Sequence, residues 1–279
     1  MILITGATGN VGKELVKELL QEGQRVRVFT RDAGKVADLA GKVEVAVGDL
    51  DRVETVETAM QDVERCFLVT GSTQQDRNAL EAAKKTGLGH IVKLSTIEAG
   101  HEPMIGHGKF HREREELIRA SGLSWTFLRP TMFMTNAFQW ASTIKTQSCF
   151  YYPGGEGKVS GVDPLDVAAV AAAALTKSGF EGQAYALTGP EALSFGEMAQ
   201  VIGRVLGRPV RYVDMPESAA GEEMRKAGVP EHAVQGLMEA FAAIRKGRFA
   251  YCTDAVEQAT GRPARTFETW FRENMSAFQ

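Results

Sequence analysis

The chain has 279 residues, 44% of them hydrophobic and 24% charged, with a formal net charge of −3. That length buries a full core and suits one large α/β domain or a domain with a second lobe. The charge balance excludes a general pull toward nucleic acid or anionic lipid, and the longest apolar stretch, Val167 to Leu175, is too short to span a bilayer.

In chain order, short apolar runs alternate with helical patterns through the first half. Strands are expected at Ile2 to Thr5, Arg25 to Thr30, Val43 to Val47, Cys66 to Thr70, His90 to Ser95 and Trp125 to Arg129. Between them lie helices, the first from about Val11 to Gln21 and the last from about Gly106 to Ala120. This alternation is the mark of βαβ units, so the fold class is α/β: a doubly wound, Rossmann-type parallel sheet. The second half is less regular. Tyr151 to Gly155 is turn chemistry, Val159 to Val162 is a short strand, Asp163 to Lys177 is a helix begun by Pro164, and Gln183 to Thr188 is one more strand. Helices follow at Phe195 to Leu206, Glu217 to Ala227 and Glu231 to Ile244, with a small strand at Pro209 to Val213. The division expected is a nucleotide-binding domain over residues 1–150, then residues 151–279 completing the sheet and forming a smaller, mostly helical substrate lobe. Met1 leads directly into a strand, so no signal peptide is expected. Cys66, Cys149 and Cys252 match no zinc or redox spacing and read as reduced thiols of a cytoplasmic protein.

The strongest motif is Thr5-Gly6-Ala7-Thr8-Gly9-Asn10-Val11-Gly12, between an Ile-Leu-Ile strand and an amphipathic helix. Gly6 permits the tight turn, Gly9 a close approach to a pyrophosphate, and Gly12 close packing of the helix; the helix N-terminus offers N–H groups and a partial positive charge to phosphates. Gly6, Thr8, Gly9, Asn10, Val11 and Gly12 are therefore candidate contacts of a dinucleotide. Strand two ends at Thr30-Arg31, with Lys35 one turn further. Arg31 can stack on adenine and fork onto a 2′-phosphate, which an NAD site would replace with a carboxylate. A solvated surface arginine is the other reading. Asp32 can cap the next segment. The cofactor expected is NADP(H). Asp49 and Leu50 close strand three, where a side chain can meet adenine or Asp49 can cap the next helix. Thr70, Gly71, Ser72 and Ser95 stand at carboxyl ends of strands four and five, as ligand contacts or as caps.

The glycine loop, Val47-Gly48-Asp49-Leu50, Leu94-Ser95-Thr96, Thr126-Phe127-Leu128-Arg129-Pro130 and Tyr185-Ala186-Leu187-Thr188-Gly189-Pro190 together resemble NmrA-like proteins, atypical members of the extended short-chain dehydrogenase/reductase superfamily. Within it the chain looks most like NADPH-dependent quinone oxidoreductases and triphenylmethane reductases. The resemblance spans nearly the whole chain and implies a C-terminal lobe closing over the nicotinamide. It also exposes a departure. Where typical short-chain reductases carry Tyr-x-x-x-Lys, this sequence has His107-Gly108-Lys109-Phe110-His111, so the usual proton relay is absent or replaced.

On a helix His107 and His111 share a face, continued by Phe110, Arg114, Leu117 and Ile118. Three readings stand: a catalytic or substrate-orienting role centred on His111, a structural role, or a metal site through His-x-x-x-His-x-x-x-Glu, for which no further ligand is evident and no metal is expected. Thr96, Thr131, Met132, Phe133 and Phe138 are candidate acceptor contacts, with ordinary core packing as the alternative. Lys93 and Arg129, inside strands, can pair with carboxylates of the sheet edge. The expected function is an NADPH-dependent reductase passing hydride to an apolar, conjugated small molecule such as a quinone. Its rivals are a non-catalytic NADP(H)-sensing regulator that binds a protein partner, and a carbonyl or alcohol reductase with histidine in place of tyrosine. A homodimer through Rossmann helices is open, though nothing in the sequence demands it.

Overall fold

Seven strands build the central sheet of this computed structural model, which describes residues 1–279. The first half runs β1 (Ile2–Thr5), α1 (Asn10–Gln21), β2 (Val26–Thr30), β3 (Glu44–Val47), α2 (Val53–Met60), β4 (Arg65–Leu68), α3 (Thr73–Thr86), β5 (His90–Leu94), α4 (Gly108–Arg119) and β6 (Ser124–Pro130). The chain continues through α5 (Ala141–Gln147), β7 (Cys149–Tyr152), β8 (Lys158–Val159), α6 (Pro164–Thr176) and β9 (Gln183–Leu187). It ends with β10 (Leu193–Ser194), α7 (Phe195–Leu206), β11 (Arg211–Asp214), α8 (Glu217–Lys226), α9 (Glu231–Arg245), α10 (Ala255–Thr260) and α11 (Phe267–Glu273).

The sheet order is β3-β2-β1-β4-β5-β6-β9, with the direction of strand addition reversing beside β1, as in doubly wound folds. Ile2 pairs in parallel with Val26 on one side and Arg65 on the other. All four residues of β1 are buried, as expected of a central parallel strand covered on both faces. On α1 the stripe Val11, Leu15, Val16 and Leu19 is buried, and the alanine-rich α6 packs against it. Small side chains let those two helices lie close. No helix is long and apolar enough to cross a membrane.

The chain forms two compact units, one of Met1–Ser95, Phe110–Arg129 and Pro164–Tyr185, the other of Thr96–Lys109, Pro130–Asp163 and Ala186–Gln279. The chain thus passes between units several times rather than once near residue 150, and the second unit is about as long as the first. Each has its own apolar core. In the first, Leu3, Met60, Leu68, Ala79, Ile91 and Phe127 pack together; in the second, Trp140, Phe150, Phe195, Ile202, Trp270 and Phe271 do. The second unit is mostly helical, with two small sheets, β7 parallel to β11 and β8 antiparallel to β10.

Three local expectations change. Cys149–Tyr152 is a strand, with the turn starting only at Pro153. The strand expected over Val159–Val162 is reduced to β8 plus an isolated bridge from Val162 to Phe133. Helix α4 starts at Gly108 rather than Gly106, because Gly106 turns the chain at φ +51°, outside the right-handed helical region.

Candidate functional site

The glycine loop is keyed to the end of β4. Thr5 is buried; its hydroxyl accepts the Val69 N–H at 2.7 Å and shares its own proton between the Phe67 and Val69 carbonyls at 3.2 and 3.1 Å. Gly6 turns the chain at φ +68°, and a Cβ there would sit 3.1 Å from the Val69 side chain. Gly12 is buried, and a Cβ on it would lie 2.1 Å from the Gly6 carbonyl oxygen, so the first turn of α1 rests on the loop itself. Helix α1 starts at an extended Gly9, with no side-chain cap and no acidic residue in its first turn. Its positive end is thereby left to an external anion, which is what a pyrophosphate requires. Val11 buries its side chain in the core, so it and Gly12 can meet a ligand only through backbone N–H groups.

A cavity of about 350 Å³ opens beside this loop. Of the residues singled out from sequence, Gly6, Thr8, Arg31, Lys35, Asp49, Leu50 and Gly71 line it, whereas Gly9, Asn10, Val11 and Gly12 lie in the adjoining loop and helix turn. Arg31 and Lys35 are exposed cations on its wall. Asp32, which also lines the cavity, accepts the Gly34 N–H at 2.9 Å and caps the following 3-10 turn. Asp49 does not cap α2, whose cap position is Arg52; it accepts the Asp51 N–H at 3.1 Å while its own N–H donates to Thr55. The residues present fit a dinucleotide with a phosphorylated ribose: a glycine cradle, an uncapped helix end and two cations at the end of β2.

Sequence reasoning missed several members of this site, among them Phe29, Gly48 and Gln75. A Cβ at Gly48 would come 2.6 Å from the Phe29 ring, so the glycine lets that aromatic wall stand at the cavity. Gln75, in the first turn of α3, accepts the Gly71 N–H at 2.8 Å and donates to Asp51 at 3.0 Å, tying the loops after β4 and β3 together. The signal for Gly48 was its place between a strand and Asp49-Leu50; Gln75 carries none.

The hydroxyls at the strand ends are largely committed to protein. Thr70 donates to Asp76 at 2.7 Å and accepts from Lys93 at 2.6 Å and from Arg114, which fills its capacity. Ser72 caps α3 by accepting the Gln75 N–H at 3.2 Å. Ser95 donates to Glu115 at 2.6 Å, and the same buried carboxylate is gripped by Arg129 at 2.9 and 2.5 Å. Each of these hydroxyls thus has a protein partner, Ser72 as the cap that the sequence also allowed. Lys93 and Arg129 do pair with carboxylates, but with Asp76 on α3 and Glu115 on α4 rather than with groups of a sheet edge.

The two histidines fall in different units and do not share a helical face. His107 precedes α4 and belongs to the second unit; its N–H donates to the Glu98 carboxylate at 3.2 Å, and its ring lies against Gly236. Burial, then His232, hold the His107 imidazole below its ordinary pKa, with Glu239 opposing. Burial pushes the Glu98 carboxyl up to about 7, opposed by the His107 N–H and reinforced by Glu239. His111 lies in the first turn of α4, its ring edge-on to Phe110 at 5.6 Å. The Glu115 that would complete a His-x-x-x-His-x-x-x-Glu metal set is turned instead to Ser95 and Arg129. No group of three or more histidine, cysteine or acidic side chains converges as metal ligands.

Among the expected acceptor contacts, Thr131 is buried and Met132 packs half-buried on the second core, its sulfur accepting from Tyr152 at 3.9 Å. Phe133 bridges to Val162, and Thr96 begins the 3-10 turn Ile97–Gly100 without a side-chain bond. Phe138 belongs elsewhere: it meets Trp270 edge-on at 5.2 Å and stacks on Phe278 at 5.8 Å, part of the aromatic packing of the C-terminal helices.

Comparison with known proteins agrees with this geometry. Residues 6–178 match the NAD(P)H-binding family. The chain is 38% identical to the NAD(P)H azoreductase of Xenophilus azovorans, over 100% of this chain and 99% of that relative. It is likewise 38% identical, over the same shares of both chains, to the (4-alkanoyl-5-oxo-2,5-dihydrofuran-3-yl)methyl phosphate reductase of Streptomyces griseus subsp. griseus. The NADPH-dependent quinone oxidoreductase of Escherichia coli, solved with NADPH, superposes with a TM-score of 0.88 at 26% identity, covering 99% of this chain and 100% of that one.

Proposed function

The chain belongs to the NAD(P)H-binding family, and we propose on that footing that it is an NADPH-dependent reductase of apolar, conjugated acceptors such as quinones. The observation that carries the cofactor reading is the end of β2. Two exposed cations, Arg31 and Lys35, line the cavity there, and one oxygen of the Asp32 carboxylate caps its own backbone turn. A bidentate guanidinium on a 2′-phosphate accounts for the paired cations.

The dinucleotide supplies hydride when bound. The chain supplies position: the N-terminal N–H groups of α1 take the pyrophosphate, Arg31 and Lys35 the 2′-phosphate, and the wall of Phe29, Asp49 and Leu50 the adenine. The acceptor reading rests on the relatives, whose names give azo, dihydrofuranone and quinone chemistry, all conjugated electrophiles. Reduction of such acceptors makes a modest demand on a side-chain acid, which suits a chain lacking the Tyr-x-x-x-Lys pair; holding the reactants in line then supplies most of the acceleration. His111 remains the side chain proposed to orient the acceptor or to hand over a proton, and Thr131, Met132 and Phe133 are proposed to contact it. All three cysteines are free thiols, which fits the cytoplasm.

The test is NADPH oxidation across a panel of quinones, azo dyes and enones, with cofactor binding measured alongside. Turnover with at least one class is expected. Inertness across the panel by a protein that binds NADPH refutes the reductase reading and favours a sensor.

A further inference from the structure

Below the end of β4 lies a set of ionised side chains that cofactor binding as described does not use. Lys93 on β5, Asp76 on α3 and Arg114 on α4 are each no more than 1% exposed. Lys93 lies 3.3 Å from Asp76, and Arg114 bonds the other Asp76 oxygen. Arg114 also donates to the Thr70 carbonyl at 2.8 Å, and the Thr70 hydroxyl joins all three side chains. The cluster holds two cations against one carboxylate. Cys66, the remaining titratable group near Lys93, is pushed up to about 12 by burial and carries no charge. An excess cation in a dry interior is costly unless an anion compensates it.

The residue on which the cluster converges sets the ligand wall. Thr70 stands between Val69 and Gly71, both of which line the dinucleotide cavity. Val69 is the residue against which Gly6 turns and to which Thr5 is bonded. Whatever holds Thr70 therefore holds the seam between β4 and the glycine loop, where a pyrophosphate would bring negative charge.

We propose that Lys93 is a positioning residue for the dinucleotide, fixing the Val69–Gly71 wall through Thr70 and lending it the excess positive charge of the buried cluster, so that cofactor affinity depends on Lys93 keeping its proton. The inference rests on the cavity being a dinucleotide site, not on the identity of the acceptor. Burial lowers the Lys93 ammonium to about 8, with Asp76 opposing and Arg114 reinforcing the shift. In the free protein it thus starts to lose its proton just above neutrality. An anion at the wall favours the charged form, so binding at about pH 8 draws in protons, and each unit by which the anion raises the lysine corresponds to about tenfold in affinity between the acidic and alkaline limits.

The experiment is calorimetric titration of NADPH, without acceptor, in two buffers of different ionisation enthalpy. Wild-type protein is expected to take up a fraction of a proton per cofactor at about pH 8 and almost none from Lys93 at mildly acidic pH, its affinity falling by about three- to tenfold as the lysine discharges. Lys93→Arg, which keeps the charge at every pH used, should bind without that uptake and with a flat profile, while Lys93→Met should bind weakly at all pH values. Should the arginine not fold, the ζ-nitrogen resonance of Lys93 in wild-type protein serves instead: NADPH should move its titration to higher pH. No proton uptake at about pH 8, uptake that persists in Lys93→Arg, or a Lys93 titration indifferent to NADPH each overturns the proposal. No binding of NADPH at any pH overturns it together with the cofactor reading, whereas inert acceptors leave it standing.

Discussion

Replacing Gly12 by alanine sets two effects of opposite sign against each other. Alanine in place of glycine inside a helix gains about 1 kcal/mol of helix propensity. Against this, the new Cβ would lie 2.1 Å from the Gly6 carbonyl oxygen, 2.8 Å from its carbon and 2.9 Å from the Ala7 Cα. These are backbone atoms of a turn fixed by Val69, so no flexible side chain can yield. Relief requires α1 to move by more than about an ångström, and the helix carries Leu15, Val16 and Leu19, all fully buried. Overpacking of this kind costs about 1–3 kcal/mol, so the clash outweighs the propensity gain. The same shift carries the helix N–H groups away from the phosphate position, and NADPH affinity should fall by at least about tenfold. Gly23→Ala is the control: its φ is +73° with nothing within 4 Å, so it should lose about 1–2 kcal/mol of stability and bind cofactor normally. Urea unfolding and calorimetric titration of both variants decide the matter. Wild-type stability and affinity in Gly12→Ala would refute the account of how the loop and helix are held.

Other variants probe the rest of the site. Arg31→Ala should weaken NADPH by about 1–3 kcal/mol while leaving NADH nearly unchanged; an equal loss for both would make Arg31 a general phosphate or surface group. Glu98→Gln isolates one half-buried carboxyl. Its folded pKa, about 7 against an ordinary 4.5, is raised, so its contribution to stability is complete below the unfolded value and is lost as pH rises through about 7. The variant, which keeps an acceptor for the His107 N–H, should thus melt higher than wild type at pH 8 by an amount on the order of 2 kcal/mol and match it near pH 5, whereas equal shifts at both would reject the assignment. His111→Ala should lower kcat with the best acceptor without altering NADPH affinity; a change confined to cofactor binding would place the ring at the wrong site.

The parts of the fold legible in the sequence are those written in local pattern. Ile2-Leu3-Ile4 before a glycine turn, and Val11, Leu15 and Leu19 after it, specify strand, loop and helix by periodicity alone. The helix after Pro164 was readable from its ends, Pro164 in the first turn and Gly179 beyond the last, since its apolar run Val167 to Leu175 shows no period. Where the pattern is short, it failed: Cys149–Tyr152 sits against Pro153-Gly154-Gly155, and turn chemistry obscured the strand that pairs with Arg211–Asp214, about sixty residues away in sequence. The helices α10 and α11 are six and seven residues long and carry too few turns to show a period.

The side-chain roles at the strand ends needed the fold. Sequence placed Thr70, Ser72 and Ser95 at the carboxyl ends of strands in an open α/β sheet, but that placement does not say where a hydroxyl points. For Ser72 that is settled by the start of α3, and for Thr70 and Ser95 by α4, on which two adjacent residues diverge, Arg114 to Thr70 and Asp76, Glu115 to Ser95 and Arg129. One sequence signal did foreshadow this. A lysine inside Ile91-Val92-Lys93-Leu94 and an arginine after Phe127-Leu128 are charges within strands buried on both faces, and such charges oblige carboxylate partners in the interior. Once Asp76 and Glu115 take those roles, the hydroxyls beside them are recruited to complete the hydrogen bonding. The hydroxyls at the ends of β4 and β5 thus carry bonds to protein, and the cations that line the cavity are Arg31, just after β2, and Lys35 in the following 3-10 turn.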